Sequence, residues 1–179
     1  MLYIDKSRTP AIFAEVKRTV ANYDELHEND KTPLKRVLIA EQGALCAYCM
    51  NRITESTSTI EHYIPRHGEH GDMSLSLEYS NLFAVCNYTR NAPKKDKTCD
   101  DARGDTLLTV DPRRKADIEK LRYKLDGTIL SSDAARSSHN TGELSVLPSF
   151  TKSTSKSANF CFSMLSTHWG KYASTLYIG

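Results

Sequence analysis

Apolar residues in the first forty positions fall into two helical patterns. Ile12, Phe13, Val16, Val20, Tyr23 and Leu26 recur at steps of three and four, while Glu15, Lys17 and Arg18 lie off that stripe. The period predicts an amphipathic helix from about 10 to 27, with Pro10 in its first turn, where a missing N–H costs nothing. Residues 1–10 carry no such period and predict an irregular or extended arm. His27 to Lys31 reads as a polar turn. A second helix follows, capped by Thr32, opened by Pro33, carrying Leu34, Val37 and Leu38 on its apolar side and stopped by Gly43. The expected role of both helices is packing against a core.

Beyond Gly43 the period shortens. Arg52-Ile53-Thr54 and Thr57-Ser58-Thr59-Ile60 alternate and carry β-branched residues, which predicts two short strands around a turn. His67-Gly68-Glu69-His70-Gly71-Asp72 is a polar loop whose histidines are expected in solvent. Leu107, Leu108 and Val110 predict a buried strand or extended segment ending at Asp111-Pro112, with a helical turn over 117–120. Leu121 to Leu125 and Thr128 to Leu130 flank Asp126-Gly127, a strong hairpin signal. From 131 to 179 serine and threonine dominate, Thr151 to Ser157 is of low complexity, and Phe160, Phe162, Met164, Leu165 and Trp169 form a candidate docking segment. The expected organisation is a helical segment over 1–43, a compact domain over 44–130 and a flexible or partner-dependent tail over 131–179.

Composition narrows this only a little. The chain has 179 residues, 39% of them hydrophobic, enough for one modest core. A formal charge of +2 rules out a nucleic-acid coat over the whole surface, so a basic footprint must be local. Arg90, Lys94, Lys95, Lys97 and Arg103 make one such run, and Arg113, Arg114 and Lys115 a second. These suit phosphate contacts, with a solvated loop as the bland alternative. Tyr88 is available for stacking on bases, whereas Tyr63 and Tyr79 read as core. No apolar run approaches the roughly 18 residues of a membrane span, and the start lacks a signal-peptide core, so the expected location is the cytoplasm, away from membranes.

Five cysteines in a reducing compartment point to metal or catalysis rather than disulfides. Cys46-Ala47-Tyr48-Cys49 has the spacing by which two thiolates reach one tetrahedral ion from a tight turn, and Cys86 and Cys99 can supply the other half of a zinc site. Buried free thiols, or a site completed by His67 or His70, are the alternatives. Between the pairs lie Glu61-His62 and Asn81, and Asp105 follows Cys99. Phosphodiester hydrolysis needs a base that is neutral near pH 7, the work of His62, and a hard cation that two carboxylates, Glu61 and Asp105, can hold. Taken alone, Glu61-His62 reads first as a surface pair, and it is Asn81, the cysteines and Asp105 in order that turn the reading to catalysis.

In order, Cys46-Ala47-Tyr48-Cys49, Ile60-Glu61-His62-Tyr63-Ile64-Pro65, Tyr79-Ser80-Asn81-Leu82 and Cys99-Asp100 to Gly104-Asp105 resemble the HNH endonucleases of bacterial anti-phage systems, in particular the PtuB-like family of Septu and related retron systems. The likeness spans roughly 1–130. It implies an α+β fold with a ββα-metal core, a zinc knuckle of four cysteines, N-terminal helices and a C-terminal hairpin plus variable tail. It implies His62 as general base, Asn81 as the residue that fixes the hairpin loop, and Glu61 and Asp105 as ligands of catalytic Mg2+ or Mn2+. The final Asp departs from the motif, where His is expected. The resemblance further implies a nuclease, with DNA favoured as substrate, under the control of a PtuA-like ABC-type ATPase. Two alternatives stay open: an RNA- or tRNA-cleaving enzyme of a retron system, and a zinc-stapled module that binds nucleic acid or a partner without cutting.

Overall fold

The computed structural model describes residues 1–123 and 129–131. The Asp126-Gly127 turn and the expected tail over 131–179, apart from Ser131, lie outside them. Among the described residues, four α-helices, α1 (Ala11–Thr19), α2 (Glu28–Glu41), α3 (Cys99–Arg103) and α4 (Lys115–Ile118), accompany a two-stranded antiparallel sheet of β1 (Ser58–His62) and β2 (Leu82–Cys86). A separate antiparallel pair, β3 (Leu121–Tyr123) and β4 (Ile129–Ser131), lies where the hairpin signal predicts it. No described helix is long and apolar enough to cross a membrane.

The first helix is shorter than its apolar stripe. It ends at Thr19 because Val20 is extended and the Asn22 side chain accepts from Asp24 N, closing a local turn that competes with helical bonding. Tyr23 and Leu26 still reach the core from that turn. The second helix begins earlier than expected, at Glu28, because Glu28 and Asp30 favour the positive end of the helix dipole. Pro33 therefore lies inside it. Gly43 ends it at φ +63°, the left-handed position the sequence assigns. The N-terminal arm is irregular, and Ile4 N donates to Pro112 O at 2.9 Å.

The strand expected at 52–54 does not form. Only an isolated bridge joins Leu45 to Arg52, while Thr57 Oγ1 accepts from Thr54 N and Ser58 Oγ donates to Thr54 O, turning the chain with side chains instead. The partner of β1 is β2, more than twenty positions away, in a register that sets Ile60 against Ala84 and His62 against Leu82. All five residues of β2 are buried, so Leu82-Phe83-Ala84-Val85-Cys86 reads as a continuous apolar run without alternation. Helices α2 and α3 both pack against it. Leu34, Leu38, Phe13 and Tyr79 complete the core, with the Phe13 and Tyr79 rings 5.0 Å apart. Residues 107–110 are buried at Leu108 and Val110 but form no strand.

One side chain ties α2 to the sheet. Gln42, 8% exposed, donates to Ala84 O and accepts from Ala84 N, both at 2.8 Å, standing in for a third strand at the free edge of β2. Gln42→Ala strands a buried amide, and the expected cost is about 1–3 kcal/mol in urea unfolding. An unchanged midpoint shows that the edge is not held this way.

Candidate active site and metal centre

The Cys46–Cys49 turn is built by backbone bonds from Cys46 N to Asn51 O and from Met50 N to Cys46 O. It brings both thiols to Cys86 at the end of β2 and Cys99 at the start of α3. Sulfur–sulfur separations are 3.9 Å for Cys46–Cys99, 3.6 Å for Cys49–Cys86 and 3.5 Å for Cys86–Cys99, and all four lie within 4.8 Å of one another. A tetrahedral ion with metal–sulfur bonds of about 2.3 Å sets its sulfurs about 3.8 Å apart, so the cluster can hold one metal. The other three thiols can donate to Cys46, which holds it well below the usual thiol range, and Cys86 N donates to the same sulfur at 3.3 Å. The alternative in which His67 or His70 completes the site is overturned: both are exposed, and neither belongs to the cluster.

Glu61 and His62, adjacent on β1, point to opposite sides as strand residues do. Glu61 faces inward, pairs with Arg103 and accepts from Tyr48 Oη at 3.2 Å. Arg103 also donates to His62 O at 3.0 Å, Tyr63 O at 2.7 Å and Thr106 O at 2.8 Å. Two expectations fall here. Arg103 is 5% exposed with its donors committed, so it cannot serve as a nucleic-acid contact; and Glu61 is neutralised by Arg103 rather than offered to a cation.

His62 faces the other way, into a cleft of about 290 Å³ lined by Tyr23, Glu28, Lys31, Lys35, Arg66 and Arg90 among others. It is 6% exposed, and the Tyr23 ring meets it edge-on with centroids 4.7 Å apart. Its Nε2 lies 3.0 Å from Ser76 O. A carbonyl only accepts, so Nε2 carries the proton and Nδ1 keeps the lone pair. Burial pushes the imidazole below its usual value, against the Ser76 carbonyl and the Asp100 charge, which favour the protonated form. Burial thus favours the neutral ring.

Asn81 is buried, and its side-chain amide bonds the backbone of Ile64 and Leu75. Its Oδ1 accepts from Ile64 N at 2.7 Å, while Nδ2 donates to Ile64 O and Leu75 O. It thereby fixes the loop that presents Ser76 O, which makes it a positioning residue.

Asp105 is exposed, beside Gly68, and does not converge with Glu61 and His62: among the described residues, the four cysteines are the one group of three or more potential ligands close enough to share an ion. The carboxylate that sequence reasoning missed is Asp100, on the first turn of α3. Burial and the neighbouring Asp101 push it up, Arg90 and His62 pull it down and Asp105 pushes it up again, so it feels the imidazole and Asp105 electrostatically. Its signal was position: it directly follows Cys99, whose thiol fixes where that turn begins. Of the basic run, Arg90 lines the cleft and pairs with Asp101 at 3.6 Å, while Lys94 and Lys95 are exposed and Lys97 half-buried.

No protein-family profile matches the chain. It is 30% identical over 88 residues to a protein of Vibrio cholerae serotype O1 biovar El Tor named "Retron Vc95 putative HNH endonuclease". That match covers 49% of this chain and 42% of the relative, less than half the length of either. Among solved structures, the type II-C Cas9 enzyme of Actinomyces naeslundii aligns with 54% of the chain and 10% of its own, at 21% identity and a TM-score of 0.30. So loose a superposition assigns neither fold nor activity.

Two outcomes follow. Elemental analysis of the purified protein is expected to find one metal ion per chain, lost in Cys99→Ser. Glu61→Ala leaves the Arg103 guanidinium buried without its counter-charge and costs about 3–5 kcal/mol in chemical unfolding, with metal content retained. A change near zero means that Glu61 has no structural role.

Proposed function

We propose that the protein is a metal-dependent HNH-type nuclease that hydrolyses phosphodiester bonds of nucleic acid, DNA in the first instance. The observation that carries this reading is His62: a neutral imidazole with Nε2–H held by Ser76 O and Nδ1 free, buried at the wall of a cleft rich in cations. The 30% likeness to a retron protein named as an HNH endonuclease supports it, as do the β1, β2 and α3 elements that bracket His62 and the cysteine cluster.

In this reading zinc occupies the four thiolates and holds α3 against the hairpin, since four sulfur donors suit that ion. Nδ1 of His62 accepts a proton from the attacking water. Asp100, and not Glu61, is the carboxylate suited to hold Mg2+ or Mn2+, which usually binds through one or two carboxylates with substrate phosphate and water completing the shell. Such an ion would supply charge to offset that building on the phosphate. Asn81 keeps the imidazole's carbonyl partner in place. Arg90, Lys94, Lys95 and Lys97 contact the backbone.

The resemblance to PtuB-like proteins extends the proposal to an anti-phage effector governed by a PtuA-like ABC-type ATPase. The retron in the relative's name favours the retron setting, and with it RNA or tRNA as the alternative substrate. A second reading, a zinc-stapled binding module without catalysis, is favoured by one observation: Glu61, His62 and Asp105 do not meet around a common point.

His62→Ala separates the two. Cleavage of plasmid, single strands and tRNA in Mg2+ or Mn2+, with and without the ATPase, is expected to fall by at least about 10²-fold, as loss of a general base does, while zinc content is unchanged. The wild-type rate is expected to be level through neutral pH. It then falls in acid as Nδ1 is protonated, with its midpoint below the imidazole's ordinary value of about 6.5, because burial lowers it. Undiminished cleavage by His62→Ala excludes this site as the catalyst.

A further inference from the structure

Helix α2 lies before the cysteine turn and outside every motif that suggested chemistry, yet it forms one wall of the His62 cleft. Lys31 and Lys35 stand four positions apart, one turn along the same face, and both line that cleft. Two more cations, Arg66 and Arg90, complete the lining, and Glu28 is the one carboxylate within it among the described residues.

The four cations are not equivalent. Arg66 is paired with Asp24 and lies over the Tyr23 ring at 5.2 Å, and Arg90 is 3.6 Å from Asp101. Lys31 pairs with Glu28 at 3.9 Å and also lies over the Tyr23 ring at 5.2 Å, whereas Lys35 Nζ makes a 3.5 Å contact to the Ser58 carbonyl, with no carboxylate of the described residues within ion-pair distance. Lys35 is thus the cation of this lining without a carboxylate partner among the described residues, and Lys31 has the longest ion pair, so these two are the freest to meet an anion. His62 is 6% exposed, and the cleft it lines is bounded by residues of both α2 and β1.

We propose that Lys31 and Lys35 form a phosphate rail that binds the backbone of a single nucleic-acid strand on either side of the phosphodiester presented to His62. This rests on the nuclease reading for what His62 does, but the rail itself is a binding site and can be measured without cleavage. A strand, rather than a duplex, is the occupant because a cleft of about 290 Å³ is too small to take a double helix, and because the imidazole lies at its wall rather than on an open surface. Lysine suits the role: a mobile point charge contacts phosphate without reading a base.

The test is fluorescence anisotropy with the full-length, metal-loaded protein, short labelled single strands of DNA and of RNA, and a duplex of the same sequence, without added Mg2+ or Mn2+ so that nothing is cut. For Lys31→Gln/Lys35→Gln, the dissociation constant for single strands is expected to rise at least tenfold at low salt. The slope of log K against log salt is expected to flatten by about 1.4, at about 0.7 per phosphate contact on a single strand. Lys31→Arg/Lys35→Arg, which keeps the charge, should retain affinity and shows that any loss is not misfolding. Arg18→Gln, an exposed cation on α1, should match the wild type. Unchanged affinity or slope in the Gln pair overturns the rail, as does a wild-type protein that prefers the duplex. A wild type that binds through the two lysines but cuts nothing under any condition sinks the nuclease reading and leaves the rail standing. A wild type that cuts, with a Gln pair that binds and cuts equally well, does the reverse.

Discussion

Four sulfur atoms decide where the rest of the protein can be. A two-stranded antiparallel pair of five-residue strands is marginal by itself in water, and α3 is barely one turn long. Neither element would hold its place without a cross-link. Cys46 and Cys49 supply it from the turn after α2, Cys86 from the last residue of β2 and Cys99 from the first residue of α3, so one centre joins four points of the chain. The link is strong enough to hold Cys99 at φ +53°, a left-handed conformation that a side chain adopts only when its surroundings insist on it. Because Asp100 follows Cys99 and Arg103 closes the same turn, the position of both charged groups is inherited from the thiol.

The strand pleat then assigns two tasks to two neighbours. On β1, Glu61 turns inward to Arg103 and Tyr48, and His62 turns to the cleft. Arg103 returns to the His62 and Tyr63 carbonyls, so the backbone bearing the imidazole is bonded to the same guanidinium that neutralises Glu61. From the opposite side, Asn81 holds Leu75 O while Ser76 O holds Nε2, two consecutive carbonyls gripping loop and ring. The imidazole is thus fixed from its main chain and from its ring nitrogen, by contacts that come from α3 and from the 63–81 loop.

Much of this was legible in the residues, and the misses share a cause. The apolar period found α1 and α2, and Gly43 marked the end of α2, because those signals are local. The cysteine cluster was legible because its chemistry admits few arrangements. The period failed at β2, where burial on both faces erases alternation, and at 52–54, where threonine and serine hydroxyls bonded the backbone before a partner strand could. The Glu61–Arg103 pair joins residues forty-two positions apart, and nothing local to either announces it. That one pairing removed two expectations together: a buried guanidinium cannot meet phosphate, and a carboxylate it neutralises has little charge left for a cation. Asp105 and Asp100 differ by five positions around a short turn that ends at Gly104, and only the fold could say that Asp105 is exposed and Asp100 partly buried.

What burial does to His62 constrains how any substrate must arrive. A desolvated imidazole is neutral and ready to take a proton, but the low exposure that keeps it so also keeps bulk solvent and large ligands away. Opening the cleft to admit a duplex would rehydrate the ring and raise its affinity for protons, undoing the state that suits it to act as a base. A narrow entrance lined by cations avoids that conflict: charge draws in an extended polyanion, and the walls remain close enough to exclude most water. On the proposed nuclease reading, cations suit α2 better than a place beside His62 on β1, because a positive charge in direct contact with the ring would further suppress the proton uptake proposed for Nδ1.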